Sequence, residues 1–187
     1  MESGAVQLGN FINYYQFNSA EQRLDLLPKD HWTTGEDCNV TQPYLVLDVG
    51  CNSGVFTQLL QKFLTQIMTP REIKIYAVDL DPDLIRRAQM DNNCDNITFD
   101  CVDVMVANDF TKILDYLDKY KRTKFDAICC FSITMWIHLN HDDTGLQEFL
   151  RKLCSLSEIF VVEPQPWKCY QTAERRMKKR PRHPKNR

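Results

Sequence analysis

Acidic side chains stand at or near the ends of three short apolar segments, and a turn bounded by glycines follows the first of them. Asp48 precedes the turn at residues 50–54, Asp79 closes the second segment, and Asp103 closes the third. A carboxylate in the position of Asp79 accepts hydrogen bonds from both hydroxyls of a ribose in many nucleotide-binding sheets. One such acid is more often a helix cap or a solvated turn residue. Three such acids, together with the glycine turn, predict a site for a nucleotide-like ligand, with adenine near Asp103.

The turn itself narrows the choice of ligand. Gly50 and Gly54 permit a positive φ and close backbone approach, and the helix that follows offers free N–H groups. Asn52 occupies the place of the middle glycine of the Gly-x-Gly-x-x-Gly pattern, which leaves less room for a pyrophosphate. S-adenosylmethionine has no phosphate, and its cationic end suits Asp48 and an asparagine amide. The turn therefore favours S-adenosylmethionine over a nicotinamide dinucleotide, although an ordinary strand–helix turn has the same outline.

Apolar segments alternate with segments of helical periodicity along most of the chain. This alternation predicts a doubly wound, mostly parallel α/β sheet of about five strands, whose ligand lies beyond the carboxyl ends of the strands. Asp109 and Asp142 or Asp143 are the expected caps of two of the helices, and Asp81 either caps a third or competes with Asp79 for the ligand. The predicted strands are 44–50, 74–80, 97–103, 125–131 and 158–163, and the predicted helices are 55–68, 82–91, 109–121, 142–153 and 167–179.

The chain outside this alternation is predicted to form two accessory parts. Residues 1–40 are expected to be a flap with a helix at 20–27, residues 41–179 the sheet domain, and residues 180–187 a disordered tail. Residues 168–187 carry nine Lys or Arg and one acid, a net charge of +8, whereas the other 167 residues carry 14 basic and 24 acidic side chains, a net charge of −10. A basic end on an acidic body suits a polyanion, although such blocks are more often solvated ends or import signals.

The composition is typical of a soluble globular protein, with 43% hydrophobic and 26% charged residues. No apolar run approaches the ~18 residues of a membrane span, and the first residues do not resemble a secretory signal. The eight cysteines lack zinc-site spacing. We therefore expect reduced thiols, no bound metal, no membrane contact, and a monomer in the cytoplasm or the nucleus.

Three longer motifs carry a family resemblance. They read Leu-Asp-Val-Gly-Cys-Asn-Ser-Gly at 47–54, Thr-Met-Trp-Ile-His-Leu-Asn-His at 134–141 and Val-Glu-Pro-Gln-Pro-Trp-Lys-Cys-Tyr at 162–170. With them, residues 9–179 resemble the bicoid-interacting family of RNA methyltransferases, and within it the enzymes that act on an RNA 5′-monophosphate of tRNA or small RNA. The resemblance implies a class I methyltransferase fold, S-adenosylmethionine as cofactor, and an RNA 5′ end as partner. It also implies cofactor contacts from Tyr14, Arg23, Asn52, Asp79, Asp103, Val104 and Phe131.

Methylation of a phosphate requires little acid–base help from the protein, because the second phosphate pKa is about 6. The protein has to bring the anion and the methyl donor together and exclude water. We expect His138, in a loop after the fourth strand, to orient the phosphate, unless it is a hydrogen-bonded core histidine. Glu163 at the end of the fifth strand would bind the amino-acid part of the cofactor or position the phosphate. Further candidates are Thr134, Asn140, Gln165 and Lys168 as polar contacts, and Trp136 and Trp167 as stacking or core residues.

One departure from the resemblance bears on activity. Related methyltransferases continue with two more strands, whereas residues 178–187 contain no apolar strand, so the fifth strand is expected to lie at an edge. This leaves open a catalytically weak or inactive relative that binds RNA or protein.

Overall fold

The sheet has five parallel strands in the order β3-β2-β1-β4-β5, which confirms the predicted doubly wound α/β fold. The structure is a computed structural model that describes residues 5–11, 14–16, 19–32 and 42–178. The strands are β1 (Tyr44–Val49), β2 (Ile73–Asp79), β3 (Ile97–Cys101), β4 (Phe125–Phe131) and β5 (Ser157–Glu163). The helices are α1 (Ala5–Leu8), α2 (Ala20–Asp25), α3 (Val55–Ile67), α4 (Pro82–Met90), α5 (Ala107–Lys119), α6 (Thr134–Ser155) and α7 (Trp167–Lys178), with a 3-10 turn at Tyr14–Gln16.

The alternating side chains of β1 divide the core into two layers. Val46 packs with the buried face of α3 and α4, including Leu60 and Ala88. Leu47 packs with Ile113 of α5 and with residues of α6 on the opposite face. Every residue of β1 is buried because helices cover both faces of the sheet. From β1 the chain adds β2 and β3 on one side of the sheet, and then β4 and β5 on the other side. The carboxyl ends of β1 and β4 therefore flank the topological switch point, where ligands bind in sheets of this kind.

Helix α6 begins earlier than the sequence predicts, so the expectation that His138 lies in a loop is wrong. Thr134 already starts the helix, and the side-chain oxygen of Gln165 accepts a hydrogen bond from Met135 N at 3.1 Å. The predicted cap further along is confirmed. Asp142 interrupts α6 with a φ of 58°, and its Oδ1 accepts hydrogen bonds from the backbone N–H groups of Thr144 and Gly145.

Two other local predictions need correction around β3 and α5. The strand ends at Cys101, so Asp103 lies in the following turn rather than in the strand. Asp109 is not the cap of α5, which Val106 precedes without a side-chain cap. The Asp109 carboxylate instead accepts a hydrogen bond from Asp103 N at 3.1 Å, and this bond holds the turn that carries Asp103.

The described parts of the predicted flap pack on the sheet domain. Ala20 of α2 is buried in the same core layer as α3. Trp32 is held by Tyr44, whose hydroxyl donates to Trp32 O at 2.7 Å. At the other end, Asn140 Nδ2 donates to Gln7 O at 2.9 Å, which fixes α1 against α6. The predicted tail at 180–187 lies outside the described residues, and within them no helix has the length and apolar character needed to cross a membrane.

Candidate cofactor site

A cleft that is partly open to solvent lies at the carboxyl ends of β1, β2 and β4, beneath the flap. The structure brings eight of the residues that the sequence nominated for the cofactor to this cleft, although their contacts with a cofactor stay predictions. These lining residues are Tyr14, Arg23, Gly50, Asn52, Asp79, Asp103, Val104 and Phe131.

Asp79 is fixed at the end of β2 by the backbone around it. Its Oδ2 accepts a hydrogen bond from Asn52 N at 2.9 Å, and its Oδ1 accepts one from Asp81 N at 3.0 Å. Burial raises the pKa of the Asp79 carboxyl above its usual value, and these two backbone bonds oppose that effect. Asp81 caps α4 by accepting hydrogen bonds from the backbone N–H groups of Asp83 and Leu84, which confirms one of its two predicted roles.

Close contacts on each side of the turn require glycine at both of its ends. Gly50 has a φ of 79°, and a Cβ there would lie 2.2 Å from Ile133 Cγ2 in the wall of the cleft. Gly54 has a φ of 75°, and a Cβ there would lie 2.6 Å from Phe99 Cζ. Asn52 does not leave its amide free, because Nδ2 donates to Phe11 O at 3.1 Å. The turn therefore joins the sheet to the flap as well as bordering the cleft.

Arg23 connects the flap to the ends of two strands. Its Nη2 lies 2.7 Å from the Tyr14 hydroxyl, 3.1 Å from Ser132 Oγ and 3.0 Å from Glu163 Oε2, and the residue is only 8% exposed. The rings of Tyr14 and Phe131 lie 5.4 and 5.7 Å from the guanidinium carbon. Glu163 thus acts on the cleft through Arg23, and it is not among the residues that line it. Sequence reasoning missed Ser132, whose positive φ of 57° has no local sequence signal.

Asp48 is the most deeply buried acid of the cleft. Thr57 Oγ1 donates a hydrogen bond to its Oδ2 at 2.7 Å. Burial raises the pKa of Asp48 to about 6, while Thr57 and Arg23 act in the opposite direction and Asp79 adds to the increase. A buried carboxylate whose pKa is raised has incomplete compensation for its charge. The cleft therefore suits a ligand that brings positive charge.

The residues present fit S-adenosylmethionine. Asp79 has the position of an acid that binds ribose, and apolar side chains suited to an adenine ring lie beside it. Asp48 supplies the negative charge that a sulfonium or an ammonium group requires. The apolar side chains are Val78, Leu80, Val102 and Ile133. No group of three or more possible metal ligands occurs in the described ranges.

The residues nominated for the phosphate are spread outside the cleft lining. His138 lies on α6 and has partners at both ring nitrogens, with Tyr170 Oη 3.1 Å from Nδ1 and Asp143 Oδ1 2.6 Å from Nε2. Asn140 Nδ2 donates to Trp136 O at 2.8 Å as well as to α1. Lys168 is exposed at the start of α7. Their roles toward a phosphate stay predictions.

The two tryptophans have different surroundings. Trp136 lines the cleft and packs against Phe11, with ring centroids 6.1 Å apart. Trp167 is 71% exposed and stacks on Tyr170 at 5.6 Å, which leaves one face of its indole to solvent. Gln165 and Thr134 are polar contacts of α6 rather than cleft residues, because the amide of Gln165 bonds to Ser132 O and Met135 N.

Parallel sheet, glycine turn and acidic cleft together define a class I S-adenosylmethionine-dependent methyltransferase. A general methyltransferase-domain model matches residues 46–155, and the model of Bicoid-interacting protein 3 matches residues 125–186. A pre-miRNA 5′-monophosphate methyltransferase of Xenopus laevis is 41% identical over 96% of the chain and 74% of its own length. The RNA 5′-monophosphate methyltransferase of Rattus norvegicus is 42% identical over 96% of the chain and 67% of its own length. The chain belongs to the Bicoid-interacting protein 3 family, together with these enzymes.

Proposed function

We propose that the protein transfers a methyl group from S-adenosylmethionine to an oxygen of the 5′-terminal monophosphate of an RNA, with tRNA or small RNA as the substrate class. The observation that carries this proposal is the 41–42% identity to two enzymes named for RNA 5′-monophosphate methylation, across 96% of the chain. The chain spans 74% and 67% of the length of these relatives. The geometry of α6 and α7 adds support of a different kind.

The first turns of α6 connect the cofactor cleft to a basic and aromatic surface. Trp136 and Ile137 line the cleft, and His138 beside them contacts Tyr170 of α7. Tyr170 stacks with the exposed Trp167, and Lys168 lies next to that ring in sequence. An aromatic face next to a cation suits an unpaired terminal base and its phosphate.

The chemistry is a displacement at the methyl carbon. S-adenosylmethionine held between Asp48 and Asp79 would supply an electrophilic methyl group, which would pass to the phosphate oxygen as the C–S bond breaks with its electron pair left on sulfur. The nucleophile is ionised at neutral pH, so no general base is needed. Acids of the cleft repel a phosphate, which leaves its orientation to donors at the rim.

His138 is the rim donor that the geometry favours in this proposal. Its Nε2 is held by Asp143, whose side chain is 85% exposed, whereas Nδ1 faces Tyr170. An RNA phosphate replaces the Asp143 carboxylate at Nε2 as one anion for another. Lys168 provides a positive charge at the start of α7.

Methyl transfer to three RNAs that differ only at the 5′ end tests the proposal. With labelled S-adenosylmethionine, we expect strong labelling of the 5′-monophosphate RNA and at least ~10-fold less of triphosphate and hydroxyl RNAs. Lys168→Ala should lower the labelling rate about 5-fold through loss of one phosphate contact, whereas Lys62→Ala on the exposed side of α3 should not. Equal labelling of all three RNAs would refute recognition of the end, and cofactor binding without any labelling would favour a non-catalytic binder.

The state and location of the protein are also proposals. We propose a monomer of the cytoplasm that also enters the nucleus, since the described cysteines are free and the carboxyl-terminal residues are basic. Sedimentation and fractionation of cells would test the two parts separately.

A further inference from the structure

Asn10 of the flap has an unusual hydrogen-bonding state. Its side-chain Nδ2 donates to Asp81 Oδ2. Its side-chain Oδ1 is buried and has no hydrogen-bond partner within the described part of the chain. It is the one buried side-chain oxygen or nitrogen there in this state. Buried polar groups are normally paired, so an exception of this kind needs an explanation.

The orientation of the Asn10 amide follows from chemistry. The Asp81 carboxylate accepts hydrogen bonds and already caps α4 through its Oδ1. Only the NH₂ group of Asn10 satisfies the remaining oxygen, so the amide oxygen has to face away from Asp81. Asn10 lines the cofactor cleft, together with Asp79 and Leu80. The unpaired atom at this corner is therefore an acceptor.

The backbone around Asn10 is held firmly in place. Gly9 has a φ of 77°, and a Cβ there would lie 2.2 Å from the Trp136 indole, so the chain packs directly on that ring. On the other side, Phe11 O accepts the hydrogen bond from Asn52 Nδ2. Segment 9–11 is thus fixed to α6 and to the glycine turn. A rotation of Asn10 toward solvent would break its bond to Asp81.

We propose that Asn10 binds the cofactor from the flap side, with Oδ1 accepting a hydrogen bond from a ribose hydroxyl. The partner has to be a donor, which excludes phosphates, carboxylates and unprotonated ring nitrogens. Asp79, the predicted ribose acceptor, lies at this corner, two residues before Asp81. An acid in this position often accepts both ribose hydroxyls, but each Asp79 oxygen here already accepts a backbone hydrogen bond, so we assign one hydroxyl to Asp79 and the other to Asn10. The cofactor then completes the hydrogen bonding of the flap, and flap closure and ribose binding are coupled.

Calorimetric titration without RNA tests this inference separately from the RNA proposal. Asn10→Ala should weaken S-adenosylhomocysteine binding about 3- to 10-fold, the worth of one neutral hydrogen bond. Two analogues of S-adenosylhomocysteine are then compared, one without the 2′ hydroxyl and one without the 3′ hydroxyl. For the analogue that lacks the hydroxyl bound by Asn10, Asn10→Ala should change the affinity less than 2-fold. Asn108→Ala, at an exposed position of α5, is the matched control and should leave every affinity unchanged.

A second readout follows the flap directly. In the native protein, S-adenosylhomocysteine should slow amide hydrogen exchange in residues 7–11, and the analogue lacking the relevant hydroxyl should slow it less. Asn10→Ala should remove that difference. The inference is overturned if Asn10→Ala weakens all three ligands by the same factor, or none of them, in protein whose thermal unfolding is unchanged. Normal ribose coupling together with no RNA methylation would leave this inference standing and overturn the proposed function alone.

Discussion

Acidic side chains at the two ends of the sheet receive different amounts of opposite charge from the chain. At the amino end, Asp126 of β4 receives Arg71 Nη2 at 3.1 Å, Arg122 Nη2 at 3.2 Å and Leu45 N at 2.8 Å. Two guanidinium groups therefore compensate one carboxylate. At the carboxyl end, Arg23 is paired with Glu163, whereas Asp48 and Asp79 have hydrogen-bond donors but no salt bridge within the described residues.

This difference separates a structural charge from a functional one. Burying a carboxylate costs free energy unless hydrogen bonds and opposite charges replace its hydration. Asp126 obtains that replacement within the chain, so its contribution is to stability. Asp48 and Asp79 obtain only part of it, and a ligand with positive charge and hydroxyl groups completes it. Incomplete compensation at the carboxyl end is thus the physical basis for binding there.

Removal of Asp126 should have the largest effect on folding. Asp126→Ala leaves Arg71 and Arg122 without their shared anion. Loss of one partner from a buried ion pair costs about 3–5 kcal/mol, so we take about 3 kcal/mol for this partly buried cluster. We expect that decrease in the free energy of unfolding, measured by urea denaturation, with unchanged S-adenosylhomocysteine affinity in the folded fraction. Asp95→Ala, at an exposed site, is the control. A loss of affinity similar to that of a cleft variant would contradict the contrast between the two ends.

Removal of Asp79 should weaken cofactor binding more than it weakens folding. Asp79→Ala deletes the predicted ribose acceptor, and hydrogen bonds to a charged group are worth about 1.5–3 kcal/mol each, so we expect about 100-fold weaker S-adenosylhomocysteine binding. The free energy of unfolding should fall less than for Asp126→Ala, because burial already opposes the charged form of Asp79. Calorimetry and urea denaturation on the same preparation measure both effects. Tight S-adenosylhomocysteine binding by a folded Asp79→Ala variant would contradict the assignment of the ribose site.

Neutralisation of Asp48 should give a smaller effect that depends on pH. With a pKa of about 6 in the folded protein against an ordinary 3.8, Asp48 binds a proton more tightly when folded. Stability from this group is therefore lost as the pH rises through the window between these values. Asp48→Asn keeps an acceptor for Thr57 and avoids that loss, so it should stabilise the free protein by about 2 kcal/mol at pH 8 and by little near pH 4. A stability difference that is independent of pH would show that charge is not the cause.

Sequence reasoning captured what is local or periodic. Strand β4 matched its predicted bounds because a short apolar run between polar turns has few alternatives, and Asp79 and Gly50 were identified because strand ends converge at one edge. The start of α6 was missed because its stabilising acceptor, Gln165, lies 30 residues beyond the Met135 N–H that it binds. The pairing of His138 with Asp143 and Tyr170 depends on the interruption of α6 at Asp142 and on how α7 packs, neither of which has a short sequence pattern.

The bridge made by Arg23 has a kinetic consequence. Leu8, Asn10, Tyr14 and Arg23 form the flap side of the cleft, so a cofactor that leaves on this side has to displace the flap. Such a movement separates the Arg23 guanidinium from Ser132 and Glu163 of the sheet domain, while Tyr14 moves with it. Exit by this route cannot be faster than the breaking of this bridge. In turnover, the lifetime of a single arginine's contacts would set the upper limit on how often the site is reloaded.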